Sequence, residues 1–180
     1  MTDFYVFDNS EVGSLVYSLN ELGDNIVGAE VGAYRGQCSC CLLQKCENIK
    51  KIYLVDSYKP HFDKIQNLYF DDKEMEFVKI TAHHHIKWSG YQHKAEFLEC
   101  LEQEAADQIP DGSLDFVYFD AWIDVDSIDE KIVRWEKKVR VGGIFSGHDW
   151  SYEPIRARLQ KYRQGKKLWN VNNTWMWFKD

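Results

Sequence analysis

Ile26-Val27-Gly28-Ala29-Glu30-Val31-Gly32-Ala33-Tyr34-Arg35-Gly36 is the stretch whose reading decides the fold. Ile26 to Val31 is a short apolar run closed by glycine, which suits a strand buried on both faces. Gly32 permits a tight turn and a close approach to the backbone, and Gly36 lets the next segment pack closely on the sheet. That segment, Gln37 to Cys46, reads as a helix whose free N–H groups face back toward the loop. Strand, glycine turn and helix in this order begin a parallel β-α-β unit.

Outward from this stretch the alternation continues. Glu11 to Leu22 carries Val12, Leu15, Val16, Leu19 and Leu22 at helical spacing and stops at Gly23. Ile52 to Val55 is a second strand ending in Asp56. Asp71 and Glu74 have capping-box spacing and open a helix to Ser89, with Met75, Val78, Ala82 and Ile86 inward. Glu96 to Leu101 is a third strand, and Glu104 to Ile109 a short helix stopped by Pro110-Asp111-Gly112. Phe116 to Phe119 is a fourth strand ending in Asp120, and Ser127 with Glu130 repeats the capping-box spacing before another helix. Ile144 to Ser146 is a fifth strand leading into His148 and Asp149. After a helix with Pro154 in its first turn, Leu168 to Val171 and Thr174 to Phe178 flank Asn172-Asn173, a link that suits a hairpin with positive φ angles. Residues 59 to 70 read as an irregular loop beside the site. The tryptophans read mostly as core, with Trp122 and Trp150 as candidates for the floor of an acceptor pocket. The expected fold is therefore α/β and Rossmann-like: one domain over residues 1–180, a mostly parallel seven-stranded sheet with helices on both faces, and a C-terminal antiparallel hairpin.

The net charge is -7, and an acidic surface repels phosphate backbones, so no nucleic-acid partner is expected. The basic run Arg156, Arg158, Lys161, Arg163, Lys166 and Lys167 reads as the solvated face of a helix. No apolar stretch spans a bilayer, and Met1 to Ser10 lacks the basic cluster of a signal peptide, so the expectation is no membrane and a cytoplasmic location. Cys38, Cys40, Cys41, Cys46 and Cys100 then read as reduced thiols. Those in the helix behave as small buried hydrophobes, with zinc as the alternative.

In open α/β sheets, ligands bind beyond the carboxyl ends of the strands. Those ends carry the Glu30–Gly36 loop, Asp56, Asp120 and His148-Asp149. Tyr34 stands where a dinucleotide loop needs its second glycine, and Glu30 adds negative charge, so a ligand with a cationic amine fits better than a pyrophosphate. The loop alone serves equally as a turn with no ligand. Asp56 can accept hydrogen bonds from ribose hydroxyls. Asp120, His148 and Asp149 end neighbouring strands; two carboxylates and an imidazole suit a divalent cation such as Mg²⁺, or general-base work by His148. Their plainer reading is a loop cap at Asp120 and a backbone hydrogen bond at His148.

Together, Glu30-Val31-Gly32-Ala33-Tyr34-Arg35-Gly36, Leu54-Val55-Asp56, Asp111-Gly112-Ser113-Leu114-Asp115-Phe116-Val117-Tyr118-Phe119-Asp120-Ala121 and Gly142-Gly143-Ile144-Phe145-Ser146-Gly147-His148-Asp149-Trp150 resemble the class I S-adenosylmethionine-dependent methyltransferases. The nearest resemblance is to the macrocin and cephalosporin-type O-methyltransferases. It implies that the Gly32, Tyr34 and Gly36 loop holds the methionine part of S-adenosylmethionine, with Glu30 near its amino group. Asp56 would bind the ribose, Glu102 and Gln103 would stand by the adenine, and Asp120 would sit by the reacting methyl. The family often has a histidine where this chain has Ile123, and the lysine of magnesium-dependent catechol enzymes also falls there. Isoleucine takes no proton, so the base falls to His148, Asp149, a metal-bound oxygen or no group. The resemblance implies methyl transfer to a small-molecule acceptor, a sugar or other hydroxyl compound. The alternative is a weak or inactive module that binds S-adenosylmethionine or S-adenosylhomocysteine. A nicotinamide oxidoreductase is disfavoured by Tyr34 and the terminal hairpin. A chain this small has room to take a lid from a second copy in a homo-oligomer.

Overall fold

A computed structural model describes residues 10–63, 67–121 and 127–180. Trp122 and Ile123 lie outside the described residues. In chain order the elements are α1 (Gly13–Asn20), β1 (Ile26–Val31), α2 (Gln37–Lys45), β2 (Ile49–Val55), β3 (His61–Asp63), β4 (Leu68–Phe70) and α3 (Asp72–Ser89). There follow β5 (Ala95–Leu98), α4 (Glu102–Gln108), β6 (Leu114–Phe119), α5 (Ile128–Lys138), β7 (Val139–Gly147), α6 (Glu153–Tyr162), β8 (Trp169–Val171) and β9 (Thr174–Phe178). A 3-10 turn, Ser10–Val12, leads into α1.

The main sheet has seven strands in the order β5-β2-β1-β6-β7-β9-β8. The first five pair in parallel, and β9 runs antiparallel to both β7 and β8. Side chains alternate across β6: Phe116 and Tyr118 join one core, Val117 and Phe119 the other. The first core takes Leu15 and Leu19 of α1, Leu42 and Leu43 of α2 and Ile86 of α3. The second takes Ala105 of α4, Ile132 and Trp135 of α5, and Ile155 and Leu159 of α6. Helices thus cover both faces, as parallel strands require. Gly28 makes room within this packing, because a Cβ there would lie 2.2 Å from the Phe116 ring. Cys38, Cys40 and Cys41 are buried in α2, in the role of small hydrophobes.

The Asp71 capping box forms in full, with both reciprocal hydrogen bonds to Glu74 at 2.9 Å. Ser127 departs from expectation: its backbone is near φ -94° and ψ 2°, and its side chain makes no cap hydrogen bond. Residues 59 to 70 depart as well, because His61–Asp63 and Leu68–Phe70 pair as a small antiparallel sheet. The third strand is shorter than expected, ending at Leu98, and α4 begins earlier, at Glu102. Only Asn172 of the expected Asn-Asn link takes positive φ, at 55°. Asn173 works through its amide instead, accepting from the Ser151 N–H at 2.8 Å. Among the tryptophans, Trp135, Trp175 and Trp177 are fully buried, whereas Trp88 and Trp169 are exposed and Trp150 is half-buried.

Candidate functional site

The strand order reverses between β1 and β6, and a crevice opens where their carboxyl ends diverge, as open α/β sheets dictate. A cavity of about 520 Å³ occupies it. Gly32 lines this cavity at φ 89°, and its N–H donates to the Val55 carbonyl at 2.8 Å. A Cβ at Gly32 would lie 2.4 Å from the Asp120 carbonyl oxygen, so the protein's own backbone makes the close approach there. Tyr34 follows at φ 45° and donates its N–H to Asp56 Oδ2 at 2.8 Å. Gly36 caps α2 at φ 69°. Asp56 also accepts the Tyr58 N–H at 2.9 Å. Burial raises the Asp56 pKa, and these backbone bonds partly offset the rise.

Glu30 and Gly36 sit behind the loop and not on the cavity wall. Glu30 is 2 % exposed and accepts hydrogen bonds from the Ser39 N–H, at 2.9 Å, and from the Ser39 hydroxyl. Burial pushes its carboxyl up to about 8, against the pull of those bonds. On the other side of the crevice Glu102 and Gln103 begin α4 and line the cavity. The Glu102 carboxylate faces inward, accepting from Arg134 at 2.8 Å and from the Trp135 indole at 2.7 Å. Gln103 is exposed on the rim.

The ends of β6 and β7 bring Asp120, His148 and Asp149 together. The Asp120 N–H donates to Val31 O at 2.7 Å and the His148 N–H to Phe119 O at 3.1 Å, so both backbones continue the sheet. Gly147 admits this register, because a Cβ there would lie 2.3 Å from Phe119 O. His148 Nδ1 is 3.0 Å from Asp149 Oδ1 and 3.4 Å from Asp120 Oδ1. The candidate ligand atoms of the three residues lie within 4.8 Å of one another. Burial disfavours the charged ring, but hydrogen bonds to Asp120 and Asp149 outweigh it and hold the His148 pKa at about 11. Desolvation raises the Asp120 carboxyl, opposed by His148.

Residues 29–150 match a family model described as a methyltransferase domain. The chain belongs to this methyltransferase family. Its seven-stranded sheet, with one antiparallel strand set between parallel β7 and the edge, is the class I S-adenosylmethionine-dependent methyltransferase fold. Among solved structures, the O-methyltransferase from Bacillus cereus in complex with SAH matches with TM-score 0.68 and 13% identity, over 97% of this chain and 83% of that one. The O-methyltransferase NovP matches with TM-score 0.61 and 16% identity, over 92% and 79%. An rRNA methylase from Streptococcus thermophilus matches with TM-score 0.67 and 13% identity, over 95% and 97%. Comparison with curated proteins finds no match. Structures that share one fold here carry names with different acceptors, so the acceptor has to be argued from the site.

Of the residues singled out in the sequence, the methyltransferase fold gathers Gly32, Tyr34, Asp56, Glu102, Gln103, Asp120, His148 and Asp149 around one cavity. Sequence reading missed the small β3–β4 sheet, which supplies His61, Asp63 and Phe70 as a further wall. His61 stacks on Phe70 with ring centroids 5.1 Å apart, and Tyr34 meets Phe70 edge-on at 6.3 Å. It also missed Glu11 and Asn173, which reach His148 Nε2 at 2.9 and 3.1 Å. Among the described residues no helix is long and apolar enough to cross a membrane.

Proposed function

We propose that this methyltransferase moves the methyl group of S-adenosylmethionine to a hydroxyl oxygen of a small acceptor. The observation that carries the reading is a single cavity with two chemically distinct ends. One end has the Gly32 turn, Tyr34 and Asp56; the other has Asp120, His148 and Asp149. In this reading Asp56 accepts from the ribose hydroxyls and the Gly32–Gly36 loop carries the methionine part. Glu30 supports that loop from below through Ser39, near the cofactor's amino group. Gln103 on the rim, with Glu102 behind it, flanks the adenine.

The S–CH₃ bond breaks as the O–CH₃ bond forms, so the sulfonium becomes a neutral thioether and the hydroxyl proton must leave. Asp120 and Asp149 orient that hydroxyl, and His148 takes its proton. With its pKa at about 11, the ring is doubly protonated at neutral pH while both acids face it, so it takes the hydroxyl proton only after giving up one of its own. Two carboxylates and an imidazole within 4.8 Å are a donor set that fits Mg²⁺. A cation there would neutralise Asp120 and Asp149, release their pull on the His148 proton, and acidify the acceptor hydroxyl. The charge of -7 supports a sugar or similar hydroxyl compound over a polyanion as acceptor.

The test is release of S-adenosylhomocysteine across a panel of sugar, phenol and small-acid acceptors. On an acceptor that turns over, His148→Ala and Asp120→Ala are expected to lower kcat by about 100-fold or more, with S-adenosylhomocysteine affinity within about threefold of wild type. Full activity in both variants would sink the assignment.

A further inference from the structure

Helix α3 carries apolar groups on two opposite sides. Met75, Val78, Ala82 and Ile86 are buried in the protein. Phe77, Ile80, His84 and Trp88 recur at steps of three and four residues on the reverse side, so they form one stripe along the outside. Phe77 is 61% exposed, Ile80 46% and Trp88 52%, and the His84 ring stacks on Trp88 with centroids 5.2 Å apart. Single exposed apolar residues are ordinary on a protein surface. Three large ones in register, opposite a face that is already buried, make a surface for a partner. The stripe runs about 16 Å along this 18-residue helix.

The charges beside the stripe point to the occupant. Glu76 and Lys87 stand three turns apart on the same flank of the stripe. Both are exposed, and neither makes a salt bridge among the described residues. The first turn of α3 is acidic, with Asp72 and Glu74, and the last turn is basic, with Lys87. A parallel two-fold pair of such helices would set like charges against each other. An antiparallel two-fold pair sets Glu76 opposite Lys87 of the partner subunit, and the symmetry makes this contact twice. The helix dipoles then also oppose favourably. In the same arrangement Phe77 meets Trp88 of the partner subunit, and Ile80 meets His84 of the partner subunit.

We propose that the outer face of α3 is the contact through which two copies of this chain form an antiparallel, two-fold dimer. The inference rests on this surface and not on the methyl-transfer reading. The Phe77 end of the stripe adjoins the cavity rim. The Arg35 guanidinium lies 5.9 Å from the Phe77 ring and 5.2 Å from the Tyr34 ring, and Tyr34 lines the cavity. The second copy therefore stands beside the Gly32–Gly36 loop of the first. One helix pair is a small interface, so the dimer is expected to dissociate at about 10–100 µM.

The test is sedimentation velocity of the full chain at low ionic strength, over a series from about 1 to about 300 µM. Wild type is expected to pass from monomer to dimer across the series. Trp88→Ala is expected to weaken the dimer about 100-fold, because it removes an aromatic anchor from the seam twice. Glu76→Lys and Lys87→Glu are each expected to weaken it about tenfold, by setting like charges together. The combined Glu76→Lys, Lys87→Glu chain is expected to return to within about threefold of wild type, since the two charges only change places. All four side-chain changes lie on exposed positions, so melting temperatures at about 1 µM, where every chain is monomeric, are expected to match wild type. A wild type that stays monomeric throughout overturns the proposal. If that monomer also sediments with phosphatidylglycerol vesicles, the stripe belongs to a lipid surface instead. A dimer that both single charge reversals leave intact, or that the combined chain fails to restore, overturns the antiparallel pairing and the proposal with it.

Discussion

Asp56 and Asp120 both follow buried parallel strands and both line the same cavity, yet they are held by different kinds of neighbour. Asp56 accepts fixed backbone N–H groups from Tyr34 and Tyr58, at 2.8 and 2.9 Å. Asp120 faces His148, whose ring also meets Asp149 and Glu11. Backbone dipoles neither titrate nor leave, so in the proposed reading the Asp56 end is set in advance for the neutral ribose hydroxyls. Imidazole and carboxylates trade protons and partners, so the Asp120 end can change state during a reaction. On the proposed function, one cavity separates holding from reacting.

Gly32→Ala should break the comparison most severely, because Gly32, in the turn beside Asp56, packs directly on the Asp120 backbone. The new Cβ would sit 2.4 Å from the Asp120 carbonyl at a φ of +89°, and neither backbone can yield cheaply. Denaturant unfolding is expected to show a loss of about 2–5 kcal/mol from strain and overpacking together. A loss under about 1 kcal/mol would mean that the β1 and β6 ends are not locked as described. Asp56→Ala should break one end alone. Losing charge-assisted hydrogen bonds to the ribose is expected to weaken S-adenosylhomocysteine about 10–100-fold, while Mn²⁺ affinity, read by calorimetry, stays put. Equal losses for both ligands would dissolve the distinction between the ends.

Glu30→Gln sharpens the comparison from beneath the loop. The folded chain holds the Glu30 proton up to about 8, whereas the unfolded chain releases it near 4.5. The folded state therefore binds more protons in this window, and its stability falls as pH rises from about 4.5 to about 8. The slope from this group is at most about 1.4 kcal/mol per pH unit. Glu30→Gln has no such proton to lose, so its stability-against-pH curve should be flatter than wild type between those limits. Parallel curves for the two proteins would show that Glu30 is ionised in the fold at neutral pH.

What could be read from the sequence follows from how locally each feature is determined. The β1 and β6 runs are apolar on both faces because helices cover both sides, and that signal survives without any partner in view. The Asp71–Glu74 cap was legible because it closes within one turn of α3. Ser127 has the same spacing but not the same backbone, and spacing alone does not set φ and ψ. The β3–β4 pair consists of three-residue strands, too short to show alternation. Glu102 lines the cavity as its place in the sequence suggested, but its hydrogen bonds from Arg134 and Trp135 on α5 come from more than thirty residues away and could not be read locally. Glu11 and Asn173 reach His148 from sequence separations of 137 and 25 residues, and no local pattern encodes such a meeting. The strand-end acids were readable as a set, while the groups that touch the far side of the His148 ring came only from the tertiary fold.

The most direct test of the account is calorimetric titration of the protein with S-adenosylmethionine and S-adenosylhomocysteine, with and without Mg²⁺. Micromolar binding of both is expected at the Asp56 end, with Mg²⁺ acting through the separate Asp120 end. No binding of either compound to folded protein would leave the fold intact and contradict the function assigned to this cavity.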